Sequence, residues 1–183
     1  MICKFGSSLS LTLLVSALTL KAQNDVSTSE SLEWINSKIS NYSIDAVITG
    51  TVDITDNDEL LVIDVRGNST SNLYYTLQKI KLSEIYSINL RNESDYVAID
   101  LIPKVGQSVE IRDFITEQNN LPIAEIRNNL AESLFTNQAS GKLTKLQISL
   151  RSSSRDQDIG SRIIKAFKQI LSIKNISLPD EKF

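Results

Sequence analysis

The chain has 183 residues, 41% of them apolar, and 19 Lys and Arg stand against 22 Asp and Glu for a net charge of −3. That is enough for one ordinary domain with a real core and short for two. Six glycines and three prolines exclude collagen-like and low-complexity classes, and the mildly acidic balance lacks the field of a nucleic-acid binder or a general binder of anionic membranes.

Residues 1–22, MICKFGSSLSLTLLVSALTLKA, read as a secretory signal peptide. Lys4 supplies the positive start. Leu9 to Leu20 form an apolar run too short to span a bilayer comfortably, and Ala22 before Gln23 marks the cleavage point. Leu20 is bulkier than the residue usually found three before a cut, and an uncleaved anchor is the alternative. The expectation is an exported protein, periplasmic or secreted, with no membrane span after cleavage. Without the leader, 17 Lys and Arg face 22 Asp and Glu, a net of −5. The one cysteine, Cys3, lies in the leader and the chain has no histidine. The mature chain therefore has no disulfide, thiolate nucleophile, imidazole base, or Cys/His metal site. Disulfide-free export suits a bacterial envelope.

Residues 23–27 read as a flexible start, and residues 28–175 as a single domain. Ser27 and Glu30 form a capping box for an amphipathic helix over Thr28–Asn41, with Leu32, Ile35, Ile39 and Tyr42 on one face and Trp34 at its edge. Ile44 to Ile54 alternate as a strand, which Gly50 interrupts as a bulge or bend. A turn at Thr55–Glu59 leads to a strand at Leu60–Arg66, and a turn at Gly67–Ser71 to one at Leu73–Ile80. Tyr74 and Tyr75 fall on opposite faces of that third strand, so one of them faces outward or toward the first helix. Ile85–Leu90 and Asp95–Ile102 follow as strands, Pro103–Gly106 breaks the chain, and Val109 and Ile111 suggest a short sixth strand.

Residues 113–141 form an excursion. Pro122 can open a helix with Ile123, Ile126, Leu130 and Leu134 on one face, while Asn137–Gly141 has loop-like composition. A seventh strand at Leu146–Leu150 leads through a polar loop to the clearest element, Ser154–Ile173. There Ile159, Ile163, Phe167, Ile170 and Leu171 share a face, Ser154 and Gln157 fit a capping box, and Lys174 and Asn175 close the helix. Residues 176–183 read as an extended tail. The fold class is α+β: a seven-stranded antiparallel bent sheet or partly open barrel, closed by the C-terminal helix, with an extra N-terminal helix.

Seven strands and one closing helix resemble the pleckstrin-homology-like superfold, and Ile80–Ile88, IKLSEIYSI, resembles a strand-to-strand turn of bacterial PH-like and GRAM-like domains. The closing SRIIKAFKQI and the S-L-E-W-I-N-S-K stretch at Ser31–Lys38 resemble small exported bacterial proteins of unknown function. The resemblance implies a bent sheet under a C-terminal helix. Phosphoinositide binding does not carry over, because the first loop holds Asp56, Asp58 and Glu59 where basic residues belong.

Chemistry-bearing candidates are few. Asp53–Glu59 clusters carboxylates that suit calcium, but it lacks the pattern of an EF-hand loop and reads as a solvated turn. No serine has the context of a Ser–Lys dyad, and there is no phosphate loop or dinucleotide fingerprint. Arg162, Lys165 and Lys168 form a basic ridge on the closing helix, either a site for an acidic partner or lipid, or a solvated helix back. The expectation is a non-catalytic binding or interaction module with no cofactor and no metal. Its partner is an unknown protein, or a small apolar or anionic ligand in the open end of the sheet.

Overall fold

The computed structural model describes residues 27–44, 48–67, 73–116 and 136–179. The expected signal peptide, and the expected helix carrying Ile123, Ile126, Leu130 and Leu134, lie outside the described residues.

Helix α1 (Thr28–Tyr42) starts at its capping box: the Glu30 N–H donates to the Ser27 hydroxyl at 3.2 Å, and the Ser27 N–H to the Glu30 carboxylate at 2.8 Å. Eight strands follow: β1 (Ile48–Ile54), β2 (Glu59–Gly67), β3 (Leu73–Lys81), β4 (Ile85–Asn92), β5 (Tyr96–Pro103), β6 (Val109–Thr116), β7 (Thr136–Leu143) and β8 (Leu146–Arg151). Helix α2 (Ile159–Ile173) comes after them. Every pairing is antiparallel, but the strands divide into a five-stranded sheet, β1-β2-β3-β6-β7, and a three-stranded sheet, β4-β5-β8.

This corrects the single seven-stranded sheet expected from the sequence. Three connections between consecutive strands are crossings between sheets: β3 to β4, β5 to β6, and the short link from β7 to β8. After β3, the buried Leu82 opens a 3-10 turn whose first N–H donates to the Asp58 carbonyl at 2.9 Å, and the chain leaves for the other sheet. After β5, the turn at 103–106 carries it back, with Gly106 at φ 83° and the Lys104 N–H donating to the Glu84 carbonyl at 2.8 Å. β3 consequently pairs with β6, and β5 with β8.

Strand β7 corrects the loop expected at Asn137–Gly141. β6 offers it an open edge, so the backbone ladder holds a segment that lacks apolar alternation. Gly50 makes no bulge either: it pairs in register with Asp64, and a side chain there would come within 3.0 Å of Ile39 on α1. Its glycine answers to a close helix approach.

One core joins both sheets and both helices. Ile35 and Ile39 of α1, Val52, Leu60 and Val62 of the large sheet, Val97, Ile99 and Leu101 of the small one, and Ile163, Phe167 and Ile170 of α2 meet in it. β2 buries its reverse face as well, where Leu61, Ile63, Tyr75 and Leu77 are all buried. Tyr75 is therefore no exposed binding residue. The tail is part of the core too: Leu178 is buried and Ile176 packs against the cluster.

The start of α2 departs from expectation. Ser154 is fully buried in a 3-10 turn and does not cap the helix; Asp158, at φ 53°, occupies the N-cap, and Gln157 accepts the Tyr42 hydroxyl at 2.6 Å. Two successive turns, with N–H bonds from Arg155 to Ser152 and from Asp158 to Arg155, delay the helix until Ile159. Its end is as expected: Asn175 is left-handed at φ 57°, and the N–H groups of Asn175 and Ile176 bond back to Ser172 and Leu171. Among the described residues no helix is long and apolar enough to cross a membrane.

The outer edge of β1 is closed by a side chain. Asn36 Nδ2 donates to the Val52 carbonyl at 2.8 Å, and Asn36 Oδ1 accepts the Val52 N–H at 2.7 Å, as a neighbouring strand would. Asn36→Leu leaves both half-buried backbone groups without partners and is expected to cost about 1 to 3 kcal/mol in urea unfolding. A loss below about 0.5 kcal/mol would mean that water replaces the amide at no penalty.

Candidate functional site

The two sheets part along a seam between β8 and the β1–β2 hairpin, and the end of α1 lies across it. Arg151 fixes that end by donating to the carbonyls of Ser43 and Asn41 at 3.1 Å each. These are C-terminal helix carbonyls, where a cation is favoured. Ser43 also forms a single bridge with Leu150 of β8.

Within the seam is a cavity of about 140 Å³. Ile39, Val62 and Ile148 give it apolar walls, and the half-exposed Ile44 stands at its rim. Gly50 belongs to the lining, with Asp64 opposite in register. Ser43, Asp64, Gln147 and Ser149 supply the polar atoms.

Gln147 is held on three sides. Its N–H donates to Gln78 at 3.3 Å, its side-chain nitrogen donates to the Ser149 hydroxyl at 2.8 Å, and its side-chain oxygen accepts from Arg91 at 3.3 Å. Arg91 also donates to Asp100 at 3.1 Å and to Glu93, and Lys145 reaches the same Asp100 oxygen at 2.8 Å. Hydrogen bonds, with the one to Asp100 strongest, push the Arg91 guanidinium further toward its charged form. Asp100 is only 6% exposed, and its Oδ1 finds no hydrogen-bond partner among the described residues.

A second recess, of about 250 Å³, lies at the end of the large sheet, with Glu59, Glu84, Glu110, Lys79, Lys81 and Lys142 around it. Lys79 stands 3.3 Å from both Glu59 and Glu110, which makes an ion triad rather than a pair of facing acids. Burial pulls the Lys79 ammonium down, but Glu110 and then Glu59 outweigh it and hold its pKa above the usual 10.5. A raised lysine pKa stabilises the fold at pH values below the unfolded value and loses that contribution as pH rises through the folded one. Wild-type melting temperature is therefore expected to fall more steeply above about pH 10.5 than that of Lys79→Met. Parallel curves from pH 9 to 12 would show that the triad adds nothing.

Within the acidic stretch 53–59, Asp58 and Glu59 each pair with a lysine. Asp58, at φ 57°, pairs with Lys174 at 2.7 Å and ties the turn to the end of α2. Among the described residues no group of three or more acids is placed to hold a metal ion.

Arg162, Lys165 and Lys168 are exposed along α2. Arg162 lies 5.3 Å from the ring centre of Trp34, which Lys38 approaches at 5.6 Å. Trp34 thus sits between cations of both helices. The basic ridge does not line the seam.

Of the seam residues, the sequence marked Gly50 as an interruption in a strand, and Ile39 and Ile44 only as apolar positions of a helix and a strand. Asp64 and Gln147 are ordinary polar positions of alternating strands until the two sheets bring them together. Set against protein-family models, curated proteins and solved structures, the chain matches none.

Proposed function

We propose that this protein is an exported, non-catalytic binding module whose ligand enters the seam between the two sheets. The observation that carries the reading is the 140 Å³ cavity, where apolar walls and polar atoms from α1, the β1–β2 hairpin and β8 converge. Small-ligand sites have that composition, and they form where elements of a fold part. The cavity is below the roughly 300 Å³ at which drug-sized ligands are enclosed, so its occupant is a compact molecule. The likeness to PH-like domains belongs to the same proposal, as a bent antiparallel framework closed by a C-terminal helix.

The test is native mass spectrometry on mature protein taken from the envelope of its host without refolding. An adduct of low mass that is lost when Val62→Trp fills the cavity supports the reading. An adduct indifferent to Val62→Trp in a folded variant, or a bare chain throughout, sinks it. Recovery of the intact precursor from the cytoplasm would sink the export.

A second reading has its own observation. Among the described residues β4 pairs on one side only, with Tyr86 42% and Leu90 37% exposed along it. Such an edge can accept a strand from a protein partner, although the irregularity between Ile85 and Ser87 blunts it. A photo-crosslinker in place of Tyr86, compared with one at the solvent-facing Lys165, checks it by whether a defined partner band forms at the edge alone.

A further inference from the structure

We infer that Lys38 of α1 and Arg162 of α2, both held at the ring of Trp34, form a site for a phosphate-type oxyanion. The site lies on the surface shared by the two helices and is independent of the seam.

Pairing is the first argument. Elsewhere in this acidic chain cations meet carboxylates: Lys79 meets Glu59 and Glu110, Arg91 and Lys145 meet Asp100, and Lys174 meets Asp58. Among the described residues no carboxylate pairs with the Lys38 or the Arg162 side chain, and both contact only the Trp34 ring. Lys165, three residues on from Arg162 and so its neighbour on the helix surface, is exposed and adds a third positive charge.

Geometry is the second. The two charged groups lie 5.6 and 5.3 Å from one ring centre, near the outer limit of about 6 Å for a cation–π contact. At that range neither is stacked flat on the indole, and their N–H donors point to other acceptors. One ring does not cancel the repulsion between two like charges, whereas an anion placed between them does. The half-buried Trp34 and the Tyr42–Gln157 hydrogen bond at 2.6 Å hold the two helices together here, so both cations rise from packed elements.

Ligand class is the third. A guanidinium offers five donors in a fork and an ammonium three. Two positive charges match the charge of about −1.5 to −2 on a phosphate monoester at neutral pH, whose three oxygens can face both groups. A carboxylate brings one charge and two oxygens.

The experiment titrates the mature protein with glycerol phosphate, inorganic phosphate, acetate and chloride at matched ionic strength. Two signals are followed: the emission of Trp34, the one tryptophan of the chain, and the phosphorus line width of the ligand. Dissociation constants for the two phosphates are expected near the millimolar range, with acetate at least about tenfold weaker. Arg162→Met and Lys38→Met should each weaken glycerol phosphate by about tenfold. Arg112→Met, which removes an exposed cation of β6, should leave it within about twofold. An emission change that chloride reproduces is screening and overturns the site. Binding that neither Arg162→Met nor Lys38→Met weakens overturns it too, as does silence of both signals. Phosphatidylcholine vesicles with and without phosphatidic acid then assign the source. Vesicles that act only with phosphatidic acid, and at far lower phosphate concentration than glycerol phosphate, support the site as one for a lipid headgroup. Equal potency supports it as one for a soluble phosphate.

Discussion

Phe167→Ala is expected to remove about 3 to 5 kcal/mol of stability and to lower the melting temperature by roughly 10 °C. Phe167 is 2% exposed and is the largest of the fully buried side chains. It stands midway along the face of α2, whose neighbours Ile163 and Ile170 have no exposed surface at all. That face meets β4 and β5 of the small sheet and packs against α1, which in turn packs on β1. Removing the ring opens a hole where two sheets and two helices share one cluster, and a close-packed surround collapses only in part. Gln169→Ala, on the exposed side of the same helix, is expected to stay within about 0.5 kcal/mol. The pair separates packing from helix propensity. Equal melting temperatures for the two variants would show that α2 does not close the core.

The elements were legible wherever local chemistry decides them. Ser27 and Glu30 mark the start of α1 because the cap is satisfied within four residues. The stripe on α2 survives because one face is covered along its whole length. Strands β2 to β5 alternate or run apolar, and the sequence marks them within a residue or two. The assembly was not legible. Nothing in Leu82–Glu84 or in the turn after Pro103 distinguishes a hairpin from a crossing, since both need only a short polar bend. β7 owes its existence to the edge of β6, a partner distant in the chain. Ser154 has the composition of a cap, but it is taken into the interior by its neighbours. The candidate site fared worse for the same reason. Asp64 and Gln147 are far apart in sequence and meet only because β8 belongs to the small sheet and β2 to the large one.

The second large effect is expected on the outer side of the small sheet, where Asp100 is buried between two cations. Arg91 and Lys145 both contact its Oδ2, and its side chain is 8% exposed while theirs are 38% and 35%. Replacing both cations by methionine leaves a carboxylate enclosed with no counter-charge. Breaking a fully enclosed ion pair in this way costs about 3 to 5 kcal/mol; since these cations reach solvent, about 2 to 3 is expected here. Urea unfolding of Arg91→Met/Lys145→Met at pH 7 should show this loss. Adding Asp100→Asn to the pair should recover most of it, because the charge is gone and only an amide stays enclosed. A deficit that Asp100→Asn does not relieve would assign the loss to the packed stems of Arg91 and Lys145 and not to the charge. Because Arg91 also holds the Gln147 side chain, the same double variant should loosen β8 along the seam. The amide signal of Ser149 is expected to shift with it, while that of Trp34, on α1, stays in place.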